Sequence, residues 1–276
     1  MTERSPWRFI PFAFADAATN MAVDEAILEA HQQGLVPPTL RLYGFDPPAV
    51  SIGHSQSMPD GLVQRAKAQG LAVVRRPTGG RAVLHLKDLT YSFVGSSVGS
   101  QSNPNNGACA PGFLSKSVAG AYKQICQGLE NALSRLGVNV ELGAAQAPYR
   151  HLHDCFLATT GSDLHFRGMK MVGSAQLRRR SAVLQHGSIL LNQDQAMMTA
   201  LLGQGTNKEG RVNAEPGASR HANLFQALGK RLAMSELEEA IEAGFASAFA
   251  VQFRSAELTD IEMKLVKRLR AKYSSV

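Results

Sequence analysis

Cys155 lies in the run Arg150-His151-Leu152-His153-Asp154-Cys155-Phe156, a thiol set among an arginine and two histidines. Cysteine attacks as the thiolate, and cationic neighbours lower its pKa from an ordinary value of about 8.5. Lys170, in Met169-Lys170-Met171-Val172, is a further cationic candidate for that role. The chemistry would be nucleophilic attack through a covalent intermediate. Residue types alone leave other readings open. A lone cysteine is often only packing, and His-Leu-His-Asp-Cys has the composition of half a metal site but lacks a second cluster at ligand spacing. The other two cysteines suggest less: Cys126 falls on the apolar stripe of a helix, and Cys109 lies in a loose loop.

A second concentration of unusual residues is VVRRPTGGRAVLHLKDLTYS, residues 73–92. Its ends are strand-like, but Arg75, Arg76, Gly79, Gly80 and Arg81 interrupt it. Pro77-Thr78-Gly79-Gly80 suits a tight turn, because proline sets φ and glycine tolerates positive φ. Glycines also let a ligand approach backbone N–H groups, and the arginines favour something negative or rich in carbonyls. The plainer alternative is a surface hairpin with a solvated basic rim. Residues 163–192 have a similar character: Arg167-Gly168 reads as a hairpin turn, and Gly173-Ser174 and His186-Gly187-Ser188 put small residues inside strands. Strict alternation puts Lys170 on the face of Val172. If that face is buried, the ammonium is partly desolvated. The pattern alone favours an exposed edge-strand lysine that blocks aggregation.

These residues need elements to hold them. Asn20 to Leu28 reads as a helix with Asn20 as cap and two acids in its first turn. Strands are expected at Thr39–Tyr43, Ala49–Ile52 and Leu71–Val74, with a helix over Leu62–Gln69. Residues 95–112 read as a low-complexity loop. Val118, Tyr122, Ile125, Leu129, Leu133 and Leu136 recur at helical spacing. Two closing helices each show a capping-box pattern, Ser235 with Glu238 and Thr259 with Glu262. The last carries the stripe Ile261, Leu265, Leu269 and Tyr273, with its basic residues mostly on the solvated face. Helices fall between and after strand clusters without regular βαβ alternation, so the expected class is α+β.

The 276 residues carry a net charge of +7, with 44% hydrophobic residues and 18% charged. That is an ordinary globular composition. The apolar stretch near Phe9 is short and broken by Pro11, a poor signal peptide, and no apolar run is long enough to span a membrane. Three widely spaced cysteines without a CxxC fit a reducing cytoplasm. The basic excess favours an acidic partner. Nucleic acid fits poorly, because few aromatics accompany the basic runs.

Taken together, RRPTGGRAVLH (75–85), NMAVDEAIL (20–28), SIGHSQ (51–56), KMVGSAQ (170–176) and LQHGSILL (184–191) resemble the lipoate–octanoate attachment family, relatives of the biotin–protein ligases. The resemblance runs from about residue 7 to about 250, leaving 251–276 as a basic amphipathic helix packed on or appended to that catalytic domain. It implies a single α+β domain with a central mixed or antiparallel sheet flanked by helices, and often a small second sheet. It also implies that Arg76, Thr78, Gly79, Gly80, Arg81, His85, Gly173, Ser174, His186 and Gly187 bind substrate around an acyl tunnel.

Within that family the ATP-using ligases usually carry three glycines where this chain has Gly79-Gly80-Arg81. The Arg81 position and the Cys155-Phe156 pair ahead of the lysine strand resemble the octanoyl-acyl-carrier-protein:protein octanoyltransferases. That branch implies Cys155 as nucleophile, Lys170 as its proton acceptor, and no metal, ATP or other cofactor. Its partners would be octanoyl-acyl carrier protein as donor and, as acceptor, a lipoyl-accepting domain such as the glycine-cleavage H protein or a dehydrogenase E2 subunit.

Overall fold

The computed structural model describes residues 6–97, 113–143, 163–192, 196–203 and 221–274. Cys109, His151, His153, Cys155 and residues 98–112 of the expected loop lie outside the described residues.

β1 (Trp7–Ala15) leads into α1 (Ala17–Gln32), and β2 (Thr39–Phe45) returns parallel to β1. β3 (Ala49–Ile52), α2 (Leu62–Ala68), β4 (Ala72–Arg75) and β5 (Val83–His85) follow, and β6 (Asp88–Ser96) re-enters the main sheet. After α3 (Val118–Arg135) come β7 (Glu141–Leu142), β8 (Leu164–Phe166), β9 (Met169–Arg179) and β10 (Ala182–Leu190). The chain closes through α4 (Ala196–Leu201), α5 (Leu224–Leu228), α6 (Met234–Phe249), β11 (Phe253–Ser255) and α7 (Asp260–Tyr273). The main sheet is mixed, in the order β11-β1-β2-β6-β10-β9-β8-β7, and β4-β3-β5 form a small second sheet. This is the expected α+β arrangement.

Alternation along β6 explains the layers. Leu89, Tyr91 and Phe93 point into the main core, where Ile125, Cys126 and Leu129 of α3 and Ile241 and Phe245 of α6 cover them. On the opposite face Val94 meets Val23 and Ile27 of α1. Cys126 is therefore packing, and burial pushes its thiol pKa up to about 12. Helical periodicity located α3 because one of its faces is wholly apolar.

Four expectations change. α1 begins at Ala17, not Asn20, because Asp16 Oδ1 accepts from the Thr19 N–H at 2.8 Å. Asn20 is instead buried, donating to the carbonyls of Ala15 and Gly44. α6 is capped by Glu236, which accepts from the Ala233 N–H at 2.7 Å, while Glu238 is occupied by the Phe12 N–H. α7 has its Thr259–Glu262 box, but Ile261 is 47% exposed and the packed face runs through Glu262, Val266, Leu269 and Tyr273. Finally, residues 73–85 are not a surface hairpin. β4 and β5 flank β3 on opposite sides, parallel and antiparallel, so the turn between them crosses over the end of β3.

Candidate active site

That crossing turn is tied down from within. Arg76 is 5% exposed; its guanidinium donates to the carbonyls of Gly79 (2.8 Å), Arg81 (2.7 Å) and Ser51 (3.1 Å). Arg75 donates to the carbonyls of Gly53, His54 and Gln56, joining the turn to the 51–56 segment. Gly80 has a φ of +96°, and a Cβ on Gly53 would sit 2.1 Å from its carbonyl oxygen. Two glycines therefore meet where no side chain fits.

Beneath the turn lie two buried polar chains. Thr78 Oγ1 meets His186 Nε2 at 2.6 Å, His186 Nδ1 meets Asp24 Oδ2 at 2.9 Å, and Arg41 and Tyr43 complete the shell of Asp24. Burial lowers the His186 pKa, leaving a neutral imidazole that donates from Nδ1 to Asp24 and accepts from the Thr78 hydroxyl. Burial alone would raise the Asp24 pKa, but His186, Arg41 and Tyr43 together hold it below the usual value. In the second chain His85 Nε2 lies 2.8 Å from Ser51 Oγ and its Nδ1 lies 2.7 Å from Asp88 Oδ2. Ser188 and Thr90 also donate to Asp88, and Arg76 to Ser51. The first chain ties the turn to α1 and the main sheet, and the second ties it to strands of both sheets, so their first consequence is rigidity.

Lys170 is buried, at 2% exposure, so the edge-strand reading is overturned. The cause is a bulge: Leu164 pairs with Val172 but His165 pairs with Lys170, leaving one extra residue on β9. Met171 and Val172, adjacent in sequence, both enter the main core. Lys170 is thereby released from the alternation expected of it. Its Nζ lies 2.9 Å from Asp163 Oδ2, a buried ion pair.

Lys170 opens onto a cavity beneath the turn. Of the residues expected to bind substrate, Arg76, Gly80, Arg81, His85, Gly173, Ser174, His186 and Gly187 line it together with Lys170. Thr78 and Gly79 do not. Thr78 is buried and acts through His186, and Gly79 is exposed with open space around its Cα. Met21, Tyr43, Phe45 and Val83 supply the apolar wall. Gly187 keeps the cavity open beside Ser174, since a Cβ there would lie 2.5 Å from the Gly173 carbonyl oxygen. A cavity with an apolar wall and a buried cation suits an acyl chain with a reactive carbonyl at its head.

Asp163, Asp24, Asp88, Ser51 and Phe45 were not anticipated at this site. Asp88 was the most accessible to inference, three residues after His85; Asp163 has no local signal at all. Cys155 lies outside the described residues. Among those residues no group of three His, Cys, Asp or Glu side chains could hold a metal ion.

Residues 16–246 match the lipoyl protein ligase A/B catalytic domain. The chain is 38% identical over 275 residues to octanoyltransferase LipM of Kyrpidia tusciae, covering 97% of this chain and 96% of that one. It is also 38% identical over 277 residues to octanoyltransferase LipM of Symbiobacterium thermophilum, with 97% and 95% covered. Among solved structures, a lipoate-protein ligase A bound with ATP superposes with a TM-score of 0.74 at 25% identity, covering 97% of this chain and 95% of that one. A bipartite lipoate protein ligase of Thermoplasma acidophilum shares the fold, with a TM-score of 0.73, 23% identity, and 98% and 93% covered. With the cavity, the buried lysine and a near full-length match to these relatives, the chain belongs to the lipoyl protein ligase A/B catalytic-domain family.

Proposed function

We propose that the protein transfers an octanoyl group from octanoyl-acyl carrier protein to a lysine of a lipoyl-accepting protein, through a thioester on Cys155. The observation that carries this reading is Lys170, buried against Asp163 at the wall of a cavity with an apolar side, in a chain whose relatives are octanoyltransferases. With Lys170 as the ammonium of its pair with Asp163, Cys155 rests as the thiolate and its proton is held on Lys170. The thiolate attacks the donor's thioester carbonyl, the carbon–sulfur bond to the carrier breaks, and the departing thiolate takes up that proton. One thioester replaces another, so no ATP is consumed. The acceptor amine then attacks the acyl-enzyme; an amide bond forms, the Cys155 thiolate leaves, and the amine's proton passes to Lys170. Backbone N–H groups near Gly79-Gly80 or Gly173-Ser174 stabilise the oxyanion in this scheme. The acceptor is a lipoyl-accepting domain of the H-protein or E2 type. Sparse, widely spaced cysteines favour the cytoplasm as the site of reaction.

An ATP-dependent ligation is the competing reading, because a solved structure of similar fold is a ligase bound with ATP. Intact mass after mixing with octanoyl-acyl carrier protein, without ATP, separates the two. A hydroxylamine-labile octanoyl adduct on wild type, absent from Cys155→Ala, is the expected result. No adduct without ATP, together with an active Cys155→Ala when ATP and free octanoate are supplied, would establish the ligase.

A further inference from the structure

A second cavity adjoins the first; Phe45 lines both, and Asp88 lines the second. The second is otherwise mostly apolar, with Phe12, Leu86, Leu232 and Leu237 among its walls. Phe45 is held rigidly: its ring stacks on His85 with centroids 4.0 Å apart and planes 19° apart, and Asp88 fixes His85 from behind. Phe45 thus stands where the two cavities meet, braced by the His85–Asp88 pair.

The position of that ring matters. Lys170 is on β9 and Phe45 on β2, with β10 and β6 between them. Three strand spacings of roughly 4.8 Å put about 14 Å between the two strands. Register puts them at similar heights: Asp88 of β6 pairs with Leu190 of β10, Phe45 lies two residues beyond the Tyr43–Thr90 pair, and Val172 pairs with Ile189. The cavity thus runs across the strands, from the buried cation at one side to the Phe45 ring at the other. An acyl chain whose carbonyl is at Lys170 therefore points its methyl end towards Phe45.

We propose that Phe45 is the end wall that sets acyl-chain length, and that removing its ring joins the two cavities and admits longer chains. The inference rests on the acyl-transfer reading above and concerns only which acyl groups are accepted. Wild type, Phe45→Ala and Phe45→Leu would each be offered a competing mixture of C8, C12 and C16 acyl-pantetheine thioesters with an acceptor domain, the products being counted by mass. Wild type is expected to use C8 and to discriminate strongly against C12 and C16. In Phe45→Ala the C12-to-C8 ratio rises at least tenfold; in Phe45→Leu it rises less. Adding Leu86→Trp to Phe45→Ala refills the second cavity and moves the ratio back towards wild type. An active variant whose profile stays centred on C8 overturns the proposal, and if Phe45→Ala does not fold, Phe45→Leu decides by the same ratio. A wild type that transfers from no thioester counts against the acyl-transfer reading; an active wild type with unmoved variants counts against the wall alone.

Discussion

At the scale of single residues, the Lys170–Asp163 pair separates structure from chemistry. Both side chains are 2% exposed, and removing one partner of a buried pair costs about 3–5 kcal/mol because the other charge is stranded. Lys170→Met should therefore lower the melting temperature and abolish transfer. Lys170→Met combined with Asp163→Leu removes both charges, so it should recover most of the stability and none of the activity. A double variant as active as wild type would remove Lys170 from the mechanism. The His186 chain makes a pH prediction. Burial lowers the His186 pKa from 6.5, and it also lowers that of His31. The unfolded chain binds these protons first, so the stability they confer is complete above 6.5 and is lost as pH falls below it. A second loss begins near the ordinary aspartate value of 3.8, because Asp24 and Asp88 titrate below it when folded. Thermal melts between pH 7.5 and 5 should show the first fall. In His186→Gln the fall should be shallower, from a starting stability about 1–3 kcal/mol lower for the disrupted buried network.

At the scale of elements, α7 is secured to the body of the protein by one buried pair and several exposed ones. Arg8 on β1 donates to Glu262 at 2.7 Å with both side chains buried, whereas Arg268–Glu29 and Arg270–Asp16 are largely solvated. Glu262→Gln should cost about 3–5 kcal/mol by leaving the Arg8 charge unmatched, and Arg268→Ala should cost less than about 1 kcal/mol. Equal losses in denaturant melts would contradict this assignment. The same helix shows what sequence could and could not reveal. Its capping box was legible because the box is a local, three-residue pattern. Its buried face was not, because Glu262 is buried by a partner 254 residues away. The site divides in the same way. The turn at 75–85 and the cavity glycines were visible as departures from strand composition. The Asp163 partner of Lys170 and the bulge that exposes Lys170 to the cavity depend on β8–β9 register, which no local pattern encodes. The crossing of β4 and β5 on either side of β3 was equally hidden, since a turn of that composition also suits a hairpin.

At the scale of the whole molecule, the charge of +7 is unevenly available. Much of what looked like a free basic surface is engaged internally. Arg179 and Lys272 pair with Glu25, Arg268 with Glu29, and Arg178 donates to carbonyls of the 115–117 segment. The C-terminal helix is consequently clamped onto α1 by the pairs that Arg268, Arg270 and Lys272 make. A net positive field nevertheless remains, and such a field raises encounter rates with an anionic partner while being screened beyond about 8–10 Å at ordinary ionic strength. This gives a test that needs no mutation. Transfer from octanoyl-acyl carrier protein, an acidic protein donor, should lose several-fold in kcat/KM between 50 and 300 mM salt (both roughly chosen to bracket the screening range). Transfer from octanoyl-pantetheine, which carries the same reacting thioester without the protein, should change little. Parallel salt dependence for the two donors would place the effect on the cavity or the acceptor. A fall confined to the protein donor would mean that long-range charge guides the carrier to a site whose chemistry is set by short-range packing.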